Sequence, residues 1–430
     1  MKRKKFICLF VLNILILMYM NIYDINDDIL KKRYTEQNVV EQVGILGYLG
    51  IDIQSSIKEM IPVNKKKFLE QADIFYQEHT VKAYEFENKK KVKNVILIQL
   101  EGVDSVALDL KVDGKPVMKN LSELKSNGIW FPNVYDQTGS GRTSDGEFLA
   151  LTSLLPIEGE SMYTHYDLSK ILSLPKYMKR LGYTTVALHG NDSSYWNRKN
   201  AHKALGYDER IYGEDSDGEI EKNYEGWGLS DGTMLNETLK VLKTHVEPMF
   251  THTILLTSHH PYTAVRNMDI PLPYEQADSL LKNYINCLYY MDDVIGKFVS
   301  ALQENALMEK SILIIFADHD SGLTEDVYRY MNLEYNVEDP NCDKVPLIIY
   351  DGVNNYTDLH VQGQSDVMPI ILSYLDIQLP DKIMGANYIN NDKIVYLRNC
   401  IMNDYKEASE NPYQLNNITK LLVTGELNEE

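Results

Sequence analysis

Apolar residues along this chain gather into four short runs: Val95–Leu100, Thr184–Leu188, Phe250–Thr257 and Ile312–Phe316. Runs this short and largely apolar predict buried strands. The segments between them are long enough for helices. Strands and helices thus alternate from Lys91 onward, which predicts an α/β fold with a largely parallel sheet flanked by helices. Each run ends at residues able to do chemistry. The first leads into Glu101 and the second into His189. The third is followed by Ser258, His259 and His260, and the fourth, after Ala317, by Asp318 and His319. Open parallel sheets bind ligands beyond the carboxyl ends of their strands, so these side chains are expected at one edge.

The amino-terminal pattern differs. Lys2, Arg3, Lys4 and Lys5 precede Phe6–Tyr23, apolar except for Asn13 and Asn21. That length is just enough to span a bilayer as a helix. A cleaved signal peptide is the competing reading, but Leu17–Leu30 contains no Ala, Gly or Ser for a cleavage site. The basic cluster predicts that everything beyond Tyr23 lies outside the cytoplasm. The expected organisation is a membrane anchor at 1–23, a helical connector at 24–93, a catalytic domain at 94–395 and a carboxyl-terminal tail at 396–430. Val43, Leu46, Leu49 and Ile53 supply the partly helical spacing of the connector.

Composition narrows the function. With 43 basic against 62 acidic residues the net charge is −19, which argues against a nucleic-acid partner. It also requires that any anionic substrate be held by local cations, for which a metal ion is the natural source. Cys8, Cys287, Cys342 and Cys400 have no metal-ligand spacing, and free thiols are expected over a Cys287–Cys342 bridge.

The segment Gln137–Phe148 (QTGSGRTSDGEF) reads as a glycine-rich loop entering a helix, with Ser144 and Glu147 spaced as a capping box. Such a helix start seats a phosphate or sulfate, and it favours ionisation of a hydroxyl placed there, making Thr143 the candidate nucleophile. Glu101, Asp318 and His319 supply two carboxylates and an imidazole, and the Thr143 oxygen would complete four ligands. This mostly hard donor set suits Mn²⁺, with Zn²⁺ or Mg²⁺ as alternatives.

Seven ordered segments carry a resemblance: QLEGVDS (99–105), QTGSGRTSDGEF (137–148), LHGNDSSYWNR (188–198), WGLSD (227–231), TSHHPY (257–262), FADHDSG (316–322) and GQSDVMP (363–369). In these the chain resembles the sulfatase-domain family of the alkaline phosphatase superfamily, and within it lipoteichoic acid synthases and related phosphoglycerol transferases. The resemblance implies that Glu101, Thr143, Asp318 and His319 bind one metal, typically Mn²⁺. It implies that Thr143 takes up phosphoglycerol covalently, and that His189, Trp196, Arg198 and His259 surround it. The implied partners are an anionic phospholipid donor, a glycerophosphate, glycolipid or glycan acceptor, and the membrane. Departures are a single amino-terminal apolar run where the synthases have several spans, Asp320 where an aromatic residue is usual, and Asn191 where an acid is frequent. No residue stands in the C/S-x-P-x-R context of formylglycine sulfatases, which disfavours sulfate ester hydrolysis. The rival readings are a phosphodiesterase or phosphatase of the same superfamily, and a non-catalytic head-group-binding protein.

Overall fold

The four apolar runs form the middle of one eight-stranded sheet. In the computed structural model, residues 65–213, 224–265, 279–397, 400–405, 407–410, 413–425 and 427 are described, with positions 40, 44, 45 and 47. The strands are β1 (Asn94–Leu100), β2 (Ile129–Trp130), β3 (Thr184–His189), β4 (Glu209–Tyr212), β5 (Met249–Ile254), β6 (Ser311–Ala317), β7 (Leu347–Tyr350) and β8 (Tyr356–Thr357), in the spatial order β8-β2-β7-β6-β1-β5-β3-β4. The five from β6 to β4 run parallel. β7 runs antiparallel to both its neighbours, so the sheet is mixed, with a parallel centre. β1, β5 and β6 are buried along their whole length, as parallel strands covered on both faces must be.

Helices cover this sheet. They include α1 (Lys65–Glu78), α2 (Thr143–Thr152), α3 (Leu174–Arg180), α4 (Arg198–Ala204), α5 (Asp231–Thr244), α6 (Ser279–Glu304), α7 (Val367–Tyr374) and α8 (Leu415–Val423). All ten residues of α2 are buried, so it is a core element although it opens with Thr, Ser and Asp. α7 packs against it. Residues 396–430, expected as a tail, carry strands Cys400–Asn403 and Ala408–Glu410 and the helix α8. The two strands join Thr80–Val81, Asn387–Ile389 and Asp392–Tyr396 in a separate antiparallel sheet, and α8 packs on α1.

The apolar run Phe6–Tyr23 and most of the expected connector lie outside the described residues; the connector's described part includes α1 and the strand Thr80–Val81. Among the described residues, no helix is long and apolar enough to cross a membrane. Cys287, Cys342 and Cys400 are unbridged.

Candidate active site

Strand register creates the site. Ala317 lies opposite Leu100 in the parallel β6–β1 pair, so the residues that follow, Asp318 and Glu101, leave the sheet side by side. Ligand atoms of Glu101, Asp318 and His319 all lie within 4.8 Å of one another, and all three residues are buried. Each group is held. Asp318 Oδ1 accepts from the backbone N–H groups of Gly102 (2.9 Å) and His319 (2.8 Å), and its Oδ2 accepts from Gln99 Nε2 at 3.1 Å. His319 Nδ1 lies 2.6 Å from the Asp320 carbonyl oxygen and 3.1 Å from Arg142 Nη2, which hold the ring from its far side. The other nitrogen, Nε2, faces Glu101 Oε1 at 3.3 Å and Thr143 Oγ1 at 3.4 Å. A metal-binding histidine is oriented in this way, through a hydrogen bond on its far nitrogen.

The charges demand a counter-ion. Burial and the neighbouring Glu101 push the Asp318 carboxyl well above the usual carboxylate range. Burial also opposes the charge on Glu101, but His259 and His319 outweigh it and hold that carboxyl down. Burial disfavours a charged His319, yet Asp318 and Glu101 push the imidazole up to about 9. Two acids this close keep a proton between them or share a cation. Two carboxylates, one imidazole and a hydroxyl fit a divalent ion with hard-ligand preference.

Thr143 is the first residue of α2, and its Oγ1 is 3.2 Å from Glu101 Oε2. The loop before it is drawn tight by Asp145, whose Oδ2 accepts from the N–H groups of Gly139 (3.1 Å) and Gly141 (2.9 Å). Arg142 takes a positive φ of 41° immediately before the threonine, strain of the kind stored at functional sites. Its guanidinium pairs with Asp320 Oδ2 at 2.9 Å and donates to the Asp320 carbonyl at 3.0 Å. The residue that departs from the family pattern thus finds its partner here.

The capping box does not form. Ser144 Oγ instead donates to the Gly141 carbonyl (2.9 Å), and Glu147 is fully buried away from the helix start. Glu147 Oε1 accepts from Arg198 Nε at 2.9 Å and Nη2 at 2.5 Å, while its Oε2 pairs with His202 Nε2 at 2.9 Å. A buried arginine outcompetes a backbone N–H for a carboxylate because leaving either charge unpaired in the core costs more than an unmade cap. The Arg198 fork expected to face substrate is therefore turned largely to Glu147. Its Nη1 lies 3.1 Å from His189 Nε2, whose Nδ1 faces the Ile254 carbonyl at 3.2 Å. Nδ1 therefore carries the hydrogen, and burial together with Arg198 pushes the His189 imidazole down to about 3. Trp196 is buried, edge-on to Tyr195, with a positive φ of 56°. His259 is half-buried, its ring 4.8 Å from that of Trp227. The structure thus gathers Glu101, Thr143, Asp318 and His319 into one cluster. Arg198 and His259 are near enough for their charges to act on Glu101.

Two further residues, Gln364 and Asp231, brace the site. Gln364 donates to the Asp318 carbonyl (2.8 Å) and accepts from the Gln137 N–H (2.8 Å), tying strand end to glycine loop. Asp231 accepts from the N–H groups of Leu256 (2.7 Å) and Thr257 (3.1 Å). Both sit in quoted segments, GQSDVMP and WGLSD, so their positions were marked although their bonds were not.

A mixed sheet with a parallel centre, carrying an acid–imidazole cluster and a helix-borne threonine at its carboxyl edge, defines the alkaline phosphatase class of fold. The Sulfatase family matches residues 93–377, and the chain belongs to that family. Among its relatives, lipoteichoic acid synthase 2 of Bacillus subtilis (strain 168) is 29% identical over 382 residues, covering 84% of this chain and 57% of that one. Lipoteichoic acid synthase of Staphylococcus saprophyticus is 28% identical over 437 residues, covering 96% and 67%. The chain therefore spans about three fifths of the length of these relatives. The crystal structure of the lipoteichoic acid synthase LtaP from Listeria monocytogenes shares the fold, with a TM-score of 0.66 at 20% identity over 84% of this chain and 97% of that one. The Streptococcus pyogenes phosphoglycerol transferase GacH, in complex with sn-glycerol-1-phosphate, superposes with a TM-score of 0.52 at 18% identity over 74% and 81%.

Proposed function

We propose that this chain is a metal-dependent phosphoglycerol transferase. It moves glycerol phosphate from a phosphatidylglycerol-like lipid to a glycerophosphate, glycolipid or glycan acceptor, with Thr143 carrying the group between them. The observation that carries this reading is Thr143 Oγ1, at the start of a buried helix, 3.2 Å from Glu101 and 3.4 Å from His319. The names of its relatives, lipoteichoic acid synthases, support the same chemistry.

Glu101, Asp318, His319 and Thr143 would hold the divalent ion, Mn²⁺ or alternatively Zn²⁺ or Mg²⁺, which supplies positive charge against the phosphate and favours the ionised threonine. The chain's own groups do the rest. The Thr143 oxygen attacks phosphorus, and the bond to the diacylglycerol oxygen breaks. His259 takes up the proton that Thr143 loses and passes it to the departing diacylglycerol oxygen, and a phosphothreonine remains. An acceptor hydroxyl then gives its proton to His259 and attacks the same phosphorus, releasing the threonine oxygen, which takes that proton back. Arg198, fixed by Glu147 and backed by His189, offers Nη1 to a phosphate oxygen, and Trp196 walls the glycerol. The apolar run Phe6–Tyr23 anchors the chain in the membrane that holds the lipid, with the catalytic domain outside the cytoplasm.

The test uses the full chain in detergent with Mn²⁺ and phosphatidylglycerol labelled in the head-group glycerol, with and without a glycolipid acceptor. Diacylglycerol release and label on the acceptor are expected, and Thr143→Ala should lose both. Wild-type turnover in that variant would refute the role of Thr143. Label appearing only as free glycerol phosphate, whatever the acceptor, would convert the assignment to a phosphodiesterase.

A further inference from the structure

The segment Trp227–Asp231 lies outside the metal cluster, yet it holds both ends of the turn that carries His259. At the near end, Asp231 Oδ1 accepts from the N–H groups of Leu256 and Thr257, just beyond β5. At the far end, Trp227 Nε1 donates to the His260 carbonyl at 3.0 Å. The turn between is closed by its own backbone, with His259 N–H bonded to the Leu256 carbonyl (3.1 Å) and Tyr262 N–H to the His259 carbonyl (2.9 Å). The clamp itself cannot drift. Leu229 N–H bonds to the Gly190 carbonyl at 2.9 Å, and a Cβ on Gly228 would stand 2.5 Å from the same oxygen. The segment is thereby seated on the residue that follows His189.

The consequence is chemical. The His260 carbonyl takes two donors, because His259 Nδ1 lies 2.6 Å from it. A carbonyl oxygen only accepts, so Nδ1 carries the hydrogen and Nε2 keeps its lone pair. The indole ring packs on the imidazole with centroids 4.8 Å apart and planes tilted by 52°, and Tyr195 backs the indole at 6.3 Å. Ring contact and shared carbonyl together fix the rotation and the tautomer of His259.

We propose that Trp227 is a positioning residue, holding His259 in the Nδ1–H tautomer with Nε2 directed at the reacting group. This rests on the reading of His259 as the group that exchanges the proton. Trp227 is 45% exposed, yet both its Nε1 and its ring are engaged by the turn that carries His259.

Two readouts on the full chain in detergent test it. The first is ¹⁵N NMR of histidine-labelled protein, with the His259 signal assigned by its loss in His259→Asn. Wild type should show His259 as the Nδ1–H form. Trp227→Ala should shift it towards a mixture of tautomers, and Trp227→Phe, which keeps a ring, should restore most of the wild-type signal. The second readout is turnover of phosphatidylglycerol. Trp227→Ala should lower kcat roughly 10- to 100-fold with little change in KM, the size of effect seen when a group that orients a functional histidine is removed. An unchanged His259 spectrum in folded Trp227→Ala would overturn the proposal, as would a shifted spectrum with unchanged kcat. The tautomer is read without any reaction. Failure of the transferase assignment would leave the spectral shift of Trp227→Ala in place, whereas failure of the clamp would abolish that shift.

Discussion

Gly146 decides how near the threonine helix comes to the metal cluster. It lies in the second turn of α2, where glycine costs about 1 kcal/mol relative to alanine. A Cβ there would stand 2.6 Å from both Cβ and the carbonyl oxygen of Asp318 and 2.7 Å from its Cα. Those atoms belong to a strand end, and the Asp318 carbonyl is also bonded to Gln364, so they do not give way. The glycine is therefore there for proximity, and the propensity lost is the smaller effect. Gly146→Ala should destabilise the fold by about 1–3 kcal/mol, the range for overpacking a tight interior, instead of stabilising it as an ordinary helical Gly→Ala would. Urea unfolding of the two proteins measures this. A gain in stability would show that α2 does not touch the strand end. Sequence spacing alone could not reveal it, since Gly146 reads as a permissive residue in a helix entry.

At the scale of elements, the buried triad Glu147–Arg198–His202 joins α2 to α4. Arg198 and Glu147 are 1% and 0% exposed, so neither charge has water to fall back on. Replacing Glu147 by Ala leaves the guanidinium uncompensated and should cost about 3–5 kcal/mol, against about 1 kcal/mol for a lost helix cap. Thermal or urea denaturation separates the two, and a loss near 1 kcal/mol would restore the capping role. The same residue shows why the sequence was only partly legible. A Glu three positions after a Ser signals a cap from local spacing, whereas its true partner stands 51 residues away and leaves no local trace. The four central strands were readable because each carries a short, largely apolar run, and the metal cluster was readable because parallel register sets their ends side by side. The direction of β7 was not, since a short apolar run such as Leu347–Tyr350 is the same pattern read either way. Nor was the carboxyl-terminal sheet, whose strands of two to five residues are short and partly exposed.

Across the whole molecule, the active-site edge rests on histidines kept neutral by burial, and this sets the response to acid. His252 in the middle of β5 accepts from Tyr207 O–H at Nδ1 (2.9 Å) and donates from Nε2 to Gln99 Oε1 (3.1 Å), the glutamine whose amide holds Asp318. Burial pushes its imidazole down to about 3, and Glu147 only partly offsets this. The unfolded chain takes up the proton near pH 6.5 and the folded chain resists until about 3. The unfolded state therefore binds more protons in that window, and stability falls as pH drops below 6.5. At pH 5 the penalty from His252 is about 2 kcal/mol. Asp104, Asp231 and Asp292, raised to about 6 by burial, work in the opposite sense between pH 4 and 6, so the raw pH profile mixes the two effects. A comparison with His252→Gln isolates the imidazole, because glutamine keeps a donor and an acceptor and does not titrate. The stability difference between wild type and His252→Gln, from urea unfolding, should move by about 2 kcal/mol in favour of the variant between pH 7 and pH 5. A difference that stays constant across those two pH values would mean that His252 meets solvent, and that the strand beneath the metal cluster is not sealed as described.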